Sequence, residues 1–340
     1  MRSPSTTTRD TYWDTVKALL IFLVILGHVV QFFMYMTNHS MAFWSNPLFK
    51  GIYMFHMPLF MLISGFFAAK SIAKHGLKSV VRYLKRLALP CVGIGLLYLP
   101  LILLKGKSIW DIYSACTTLW FLIVVFECVV FYTITKQKQS WWYKTVMYIL
   151  PIPLALLCGD NPYISILFPH TGQFTYLWPF FVLGVYLSHV KFSPQFIDRK
   201  WIIFPVLYVA AFCLFRPHWY VYCCSLGFDL NRLIVDILRT LAAIVGCGTA
   251  LWAGKYLHSL IGEYAITQNL GRATLAIYVL QTLFFAAACK WLTKYLPQPL
   301  GHMECMILSL VILAMLYLIY IATRCIPIVS ILMYGERGRN

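Results

Sequence analysis

The sequence predicts an all-α integral membrane protein, a bundle of about ten transmembrane helices with both termini cytoplasmic. Three observations lead there. Hydrophobic residues make up 61% of the 340-residue chain and charged residues only 11%, whereas a soluble domain carries about 25% charged residues. The apolar residues are gathered into runs close to the ~20 residues that a helix needs to cross hydrocarbon. Lys and Arg are concentrated in alternate connections between those runs, the positive-inside pattern of a multi-pass protein.

The runs, in order, are 15–36, 48–69, 87–104, 118–135, 146–159, 175–190, 201–215, 230–253, 270–289 and 305–324. The fifth and seventh are short and read as tilted, kinked or partly re-entrant. Together they leave no room for a separate soluble domain, so 1–340 reads as a single transmembrane domain. Polar residues including Asp10 and Asp14 precede the first run, which therefore reads as an uncleaved helix rather than a signal peptide.

The formal net charge of +17 invites a nucleic-acid reading, but its distribution opposes one. Lys70, Lys74, Lys78, Arg82, Lys85 and Arg86 lie between runs two and three with no acid among them, and Lys191, Arg199 and Lys200 lie between runs six and seven. Connections 37–47 and 160–174 contain neither Lys nor Arg. The excess is topological. It places both termini in the cytoplasm; the expected location is the cytoplasmic (inner) membrane, with the lipid bilayer as partner and no nucleic acid. The eleven cysteines form no CxxC pair or Cys/His group with zinc spacing, so no metal is expected.

Ionisable residues inside a membrane are costly and mark functional sites. Asp14, Lys17 and His28 share one face of the first helix: eleven residues bring His28 back to within about 20° of Lys17, and Asp14 lies about 40° away. A rise of 1.5 Å per residue sets His28 about 16 Å beyond Lys17, so charge sits at the membrane edge and an imidazole sits deep. A neutral imidazole held away from bulk water suits general-base work on a hydroxyl. The second run adds His56, Pro58 and Ser64-Gly65. Pro58 predicts a kink, and Ser64-Gly65 predicts close helix packing, with a Ser64–His56 nucleophilic pair as the sharper alternative. Arg82, Lys85 and Arg86 follow at helical spacing and suit phosphate groups, or else anionic lipid. Glu127 is a lone acid in the fourth run, after Leu119-Trp120-Phe121-Leu122, where Trp120 is a candidate pocket residue and, with Lys17, a candidate oxyanion donor. Asp229, Arg232, Asp236 and Arg239 form a stripe on the eighth helix, able to pair along it or to line a pocket. Arg272 stands near the membrane edge, as Lys17 does.

In order along the chain, Trp13-Asp14-Thr15-Val16-Lys17 with Gly27-His28, Phe55 to Gly65, Arg82 to Pro90, Leu119 to Leu122 and Leu270 to Tyr278 resemble the motif blocks of the membrane acyltransferase-3 family, in its fucose 4-O-acetylase-like branch. The resemblance implies a ten-helix, acyl-CoA-dependent O-acetyltransferase. Acetyl-CoA would be its donor substrate rather than a bound cofactor, and a hydroxyl of a cell-surface or lipid-linked glycan would be its acceptor, as in polysaccharide modification. It makes His28 the essential histidine and Lys17 its basic partner, and it assigns Arg82 and Arg86 to CoA handling. Two positions depart from the pattern: Lys17 replaces an Arg common in the family, and Gln281 replaces a His. The rival reading is a transporter or flippase of a lipid-linked glycan, for which the charged stripe and kinked helices also suit; no inverted repeat supports it.

Overall fold

The computed structural model describes residues 10–35, 42–104, 106, 108–136, 141–150, 153, 169–220, 230–287, 295 and 300–336. Among these, every regular element is helical. The α-helices are α1 (Tyr12–Val29), α2 (Pro47–Tyr53), α3 (His56–His75), α4 (Leu77–Leu104), α5 (Ile109–Thr117), α6 (Trp120–Lys136), α7 (Trp141–Ile149), α8 (Thr171–His189), α9 (Ile203–Leu214), α10 (Leu230–Ile261), α11 (Ala265–Ala287), α12 (His302–Thr323) and α13 (Pro327–Tyr334). Five stretches among the described residues are long and apolar enough to cross a membrane, or six if the bent pair α5–α6 is one span. That is fewer than the ten expected. The run 201–215 forms α9, a helix of 12 residues and so only about 18 Å long, short of the hydrocarbon thickness. Most of the run 146–159, the connection 160–168, Asp229 and both chain ends lie outside the described residues.

Helix α1 lies at the centre. It packs against α11, α10 and α12 and touches α3. Its buried residues occur all round the helix, as they must in one surrounded by protein. Tyr12 Oη donates to the Leu251 carbonyl at 2.9 Å, and Thr15 Oγ1 meets His258 Nδ1 at 3.0 Å, tying α1 to α10. The Trp13 ring lies 4.7 Å from Phe66 of α3. After Val29 the helix widens into a π-helix, Val30–Tyr35, a form often found at functional sites.

The closest helix pair is α3–α8. A Cβ at Gly65 would strike the Phe181 carbonyl, and one at Gly184 would strike the Leu62 carbonyl. The two glycines thus let two backbones meet directly, as small residues do in membrane helices.

Two helices are broken where the site lies. The α2–α3 break at Met54–Phe55 follows from Pro58, which has no N–H to offer the Met54 carbonyl. His56 Nδ1 donates to the Ile52 carbonyl at 2.9 Å, and the Tyr208 hydroxyl donates to the Gly51 carbonyl. The α5–α6 bend of 74° contains neither Pro nor Gly. There the Thr117 and Thr118 hydroxyls bond back to the Tyr113 and Ser114 carbonyls at 3.1 and 3.0 Å, and His170 Nε2 donates to the Thr117 carbonyl at 3.0 Å. Side chains replace the missing turn, which is how non-helical backbone is tolerated at membrane depth.

Candidate functional site: a histidine centre and a charged anchor on one helix

The residues expected on one face of α1 divide into two places. At the end that carries the basic connections, Asp14 is 1% exposed, and its carboxylate bonds Lys17 Nζ at 2.7 Å. Arg272 Nε stands 3.9 Å from its other oxygen. A Cβ on Gly271 would meet the Asp14 backbone, so the glycine brings α11 close enough for Arg272 to reach. Lys17 also lies 5.7 Å from the Phe67 ring centre. The arrangement is one buried carboxylate between two cations. Replacing Asp14 with Ala leaves both cations without it and removes a charge-assisted bond to a buried carboxylate, worth about 1.5–3 kcal/mol. Asp14→Ala is therefore expected to lower the thermal midpoint in detergent clearly, and Asp14→Glu to retain most of it.

His28 occupies the other place, beside a different set of partners. Its ring lies 5.3 Å from Phe285 of α11 and 6.2 Å from Phe32, and those two phenyl rings stack at 5.4 Å. The His28 side chain is only half-buried, yet its Nδ1 is shielded and has no hydrogen-bond partner. His56 lies within electrostatic reach. Its Nδ1 bond to Ile52 leaves Nε2 as the ring's acceptor, a tautomer assigned from the hydrogen-bond network. The Tyr53 ring is 4.6 Å from His56 and closes against α1 at Gly27, where a Cβ would collide with it.

Helix α11 completes this centre. Tyr278, Gln281 and Phe285 lie at steps of three and four and so share a face. Phe285 reaches His28, and Tyr278 reaches Phe121 at the start of α6, with ring centres 6.1 Å apart. Gln281, between them, is 1% exposed, and its Oε1 has no partner. A buried amide oxygen left unpaired costs about 1–3 kcal/mol, and such atoms are rare in folded proteins. Two unpaired acceptor-capable atoms, His28 Nδ1 and Gln281 Oε1, thus lie on two helices packed against each other.

The other expected residues fall elsewhere. Ser64 donates its hydroxyl to the Phe60 carbonyl at 2.8 Å and lies about 12 Å along α3 from His56, so the Ser64–His56 pair does not form. Helix α4 begins at Leu77, which puts Arg82, Lys85 and Arg86 on the helix of the third run rather than in a connection before it; all three are exposed. Arg82, with Lys74, His75, Leu77 and Lys78, lines an open cavity of about 650 Å³ at the α3–α4 turn. Lys85 and Arg86 are not among its lining, and the Arg86 backbone packs against Gly335. Trp120 caps α6 beside His170, with ring centres 6.4 Å apart. Glu127 is buried on α6, within electrostatic reach of Tyr113. Asp236 and Arg239 pair at 2.8 Å. No group of three metal-binding side chains occurs among the described residues.

Sequence reasoning underrated Tyr53, Tyr176 and Phe285, aromatic residues in an aromatic-rich chain. Tyr53 carried one signal, its place one turn before His56.

Nodulation protein NolL of Mesorhizobium japonicum (strain LMG 29417 / CECT 9101 / MAFF 303099) is 32% identical over 226 residues, 62% of this chain and 57% of that protein. Nodulation protein NolL of Sinorhizobium fredii (strain NBRC 101917 / NGR234) is 52% identical over 66 residues, 19% of this chain and 18% of that protein. The matched part thus spans a little over half of the first relative and under a fifth of the second. No solved structure matches. Residues 10–324 match the acyltransferase-3 family model, described as an acyltransferase domain, and with nearly all of its helical bundle inside that match the chain belongs to the acyltransferase-3 family.

Proposed function

We propose that this protein is a membrane-embedded O-acyltransferase that moves an acetyl group from acetyl-CoA to a hydroxyl of a cell-surface or lipid-linked glycan. The observation that carries the reading is His28: an imidazole deep along α1, half-buried, with an unpartnered Nδ1 and its ring against Phe285 of α11, the helix that also carries the unpartnered Gln281 Oε1, in a chain of an acyltransferase family.

The chemistry balances without a metal. A sugar hydroxyl gives its proton to His28 as its oxygen attacks the thioester carbonyl. The C–S bond then breaks, the acetyl group stays on the sugar oxygen, and the CoA thiolate takes the proton from the imidazolium. General-base assistance of this kind contributes about 10²–10⁴-fold. His28 lies about 16 Å beyond Lys17, so the extended pantetheine arm of acetyl-CoA carries the thioester inward while its phosphates stay at the basic end. The open basic cavity lined by Lys74, Lys78 and Arg82 suits those phosphates through charge-assisted bonds. Arg272 suits them as well, held at the same end by Asp14. On this reading that end faces the cytoplasm, and the membrane is the cytoplasmic (inner) one.

The test uses purified full-length protein in lipid nanodiscs with acetyl-CoA labelled in the acetyl group and a glycolipid extract as acceptor. CoA release equal to label entering the glycolipid supports the reading; release of CoA with no labelled glycolipid, or neither, contradicts it. In the same assay Lys78→Ala/Arg82→Ala is expected to raise the acetyl-CoA KM about tenfold with kcat little changed, the mark of lost uniform binding.

A further inference from the structure

Arg239 is the most exposed contradiction in the bundle. It is 5% exposed on α10, a residue type that keeps its charge under any physiological condition. One nitrogen, Nη2, bonds Asp236 at 2.8 Å. The other two, Nε and Nη1, are buried with no partner among the described residues. Three N–H donors are therefore left without an acceptor inside a membrane bundle. A structural ion pair needs no such surplus, and an unmet buried charged donor costs more than a neutral one.

The guanidinium is also aimed. It lies 4.9 Å from the centre of the Tyr176 ring on α8, a cation–π contact that holds its plane. Tyr176 is half-buried and within electrostatic reach of Cys247. The Cys247 thiol meets the Phe55 carbonyl at 3.8 Å, and Phe55 immediately precedes His56, which is within electrostatic reach of His28. Arg239 and the histidine centre are thus linked through neighbouring side chains, by the Tyr176 ring and the Cys247–Phe55 contact and by electrostatic reach between the rest. Depth agrees. Lys255 bonds the Ile197 carbonyl at the basic-connection end, and Arg239 is about 24 Å from it along α10. His28 is about 21 Å from Asp14 along α1. Both lie far from the donor's proposed entrance.

We infer that Arg239, Asp236 and Tyr176 form the acceptor subsite, which binds a neutral sugar ring so that one hydroxyl faces His28. The inference rests on the acyltransferase reading above and deepens it. The class of ligand follows from the charges. Asp236 already compensates Arg239, so the spare N–H groups call for oxygen acceptors without a net charge. Asp236 itself is 39% exposed at its side chain and keeps lone pairs for hydroxyl donors. Tyr176 offers an aromatic edge beside them. A donor, an acceptor and an apolar surface in one place match a polyhydroxylated ring better than an acyl chain or an anion. None of the three touches the reacting atoms; they are positioning residues.

The experiment measures both substrates' KM in nanodiscs, with labelled acetyl-CoA and a glycolipid extract from the strain that carries the gene. Arg239→Gln is expected to raise the glycolipid KM at least tenfold and leave the acetyl-CoA KM within twofold, with Arg239→Lys intermediate. Asp236→Asn, isosteric and on a partly exposed group, should raise the glycolipid KM severalfold and serves if Arg239→Gln does not fold. Unchanged glycolipid KM in the variants that fold, or equal changes in both KM values, overturns the subsite. A wild-type protein that transfers no label overturns the acyltransferase reading instead, and the two failures stay distinct.

Discussion

His28→Ala is expected to abolish acyl transfer, by about 10³-fold or more, while the protein still inserts and folds. The size follows from general-base catalysis, worth about 10²–10⁴-fold. His56 is held in place through its Nδ1 bond to the Ile52 carbonyl, and Ser64 is committed to the Phe60 carbonyl. The fold should survive because the His28 ring is half-buried, makes aromatic contacts to Phe32 and Phe285 and bonds the Gln31 side chain one turn on along the same helix; its Nδ1 has no bond to lose. His28→Gln, which fills the space without a basic nitrogen, should be as inactive as His28→Ala. Equal thermal midpoints in detergent for wild type and His28→Gln, with activity present in only one, would separate chemistry from folding.

Gly184→Leu is expected to have the second large effect, this time on folding. The added Cβ meets the Leu62 carbonyl and the Phe66 amide of α3. These are backbone atoms of a helix and cannot rotate aside, so α3 and α8 must separate. Overpacking a filled interior costs about 1–3 kcal/mol, and a backbone collision with a branched side chain behind it sits at or beyond the top of that range. Gly51→Ala is the control, because its Cβ would find the Tyr208 hydroxyl at 3.5 Å, an ordinary contact. Yield of monodisperse protein in detergent should fall severely for Gly184→Leu and little for Gly51→Ala. Comparable yields would mean that α3 and α8 do not pack as described.

Much of this was legible in the residues alone. Composition and the spacing of apolar runs gave the all-helical membrane class, because both report on solvent and need no tertiary contact. The break at Met54–Phe55 followed from Pro58, and the packing role of Ser64-Gly65 from their size. The division of α1 into a charged end and a histidine end followed from the helical rise. What stayed hidden depends on neighbours. Nothing in the run 118–135 announces the 74° bend before Trp120, which is stabilised by threonine back-bonds and by His170 from a distant segment. The helical spacing of Arg82, Lys85 and Arg86 was legible, but not that they share one helix from Leu77 with the third run. Gln281 stood out in sequence only as a departure from a motif; its buried, unpaired oxygen gives it physical meaning. Asp236 and Arg239 were readable as an ion pair, but the two spare guanidinium nitrogens and the Tyr176 ring beneath them were not.

The most direct test of the central claim is a mass comparison of surface glycans from cells without the gene, cells with it, and cells with His28→Ala produced at equal levels. The account predicts that the intact gene adds one acetyl group to a glycan sugar and that the His28→Ala cells lack the added mass. Identical glycan masses in all three, or the same added acetyl with His28→Ala as with wild type, would contradict it.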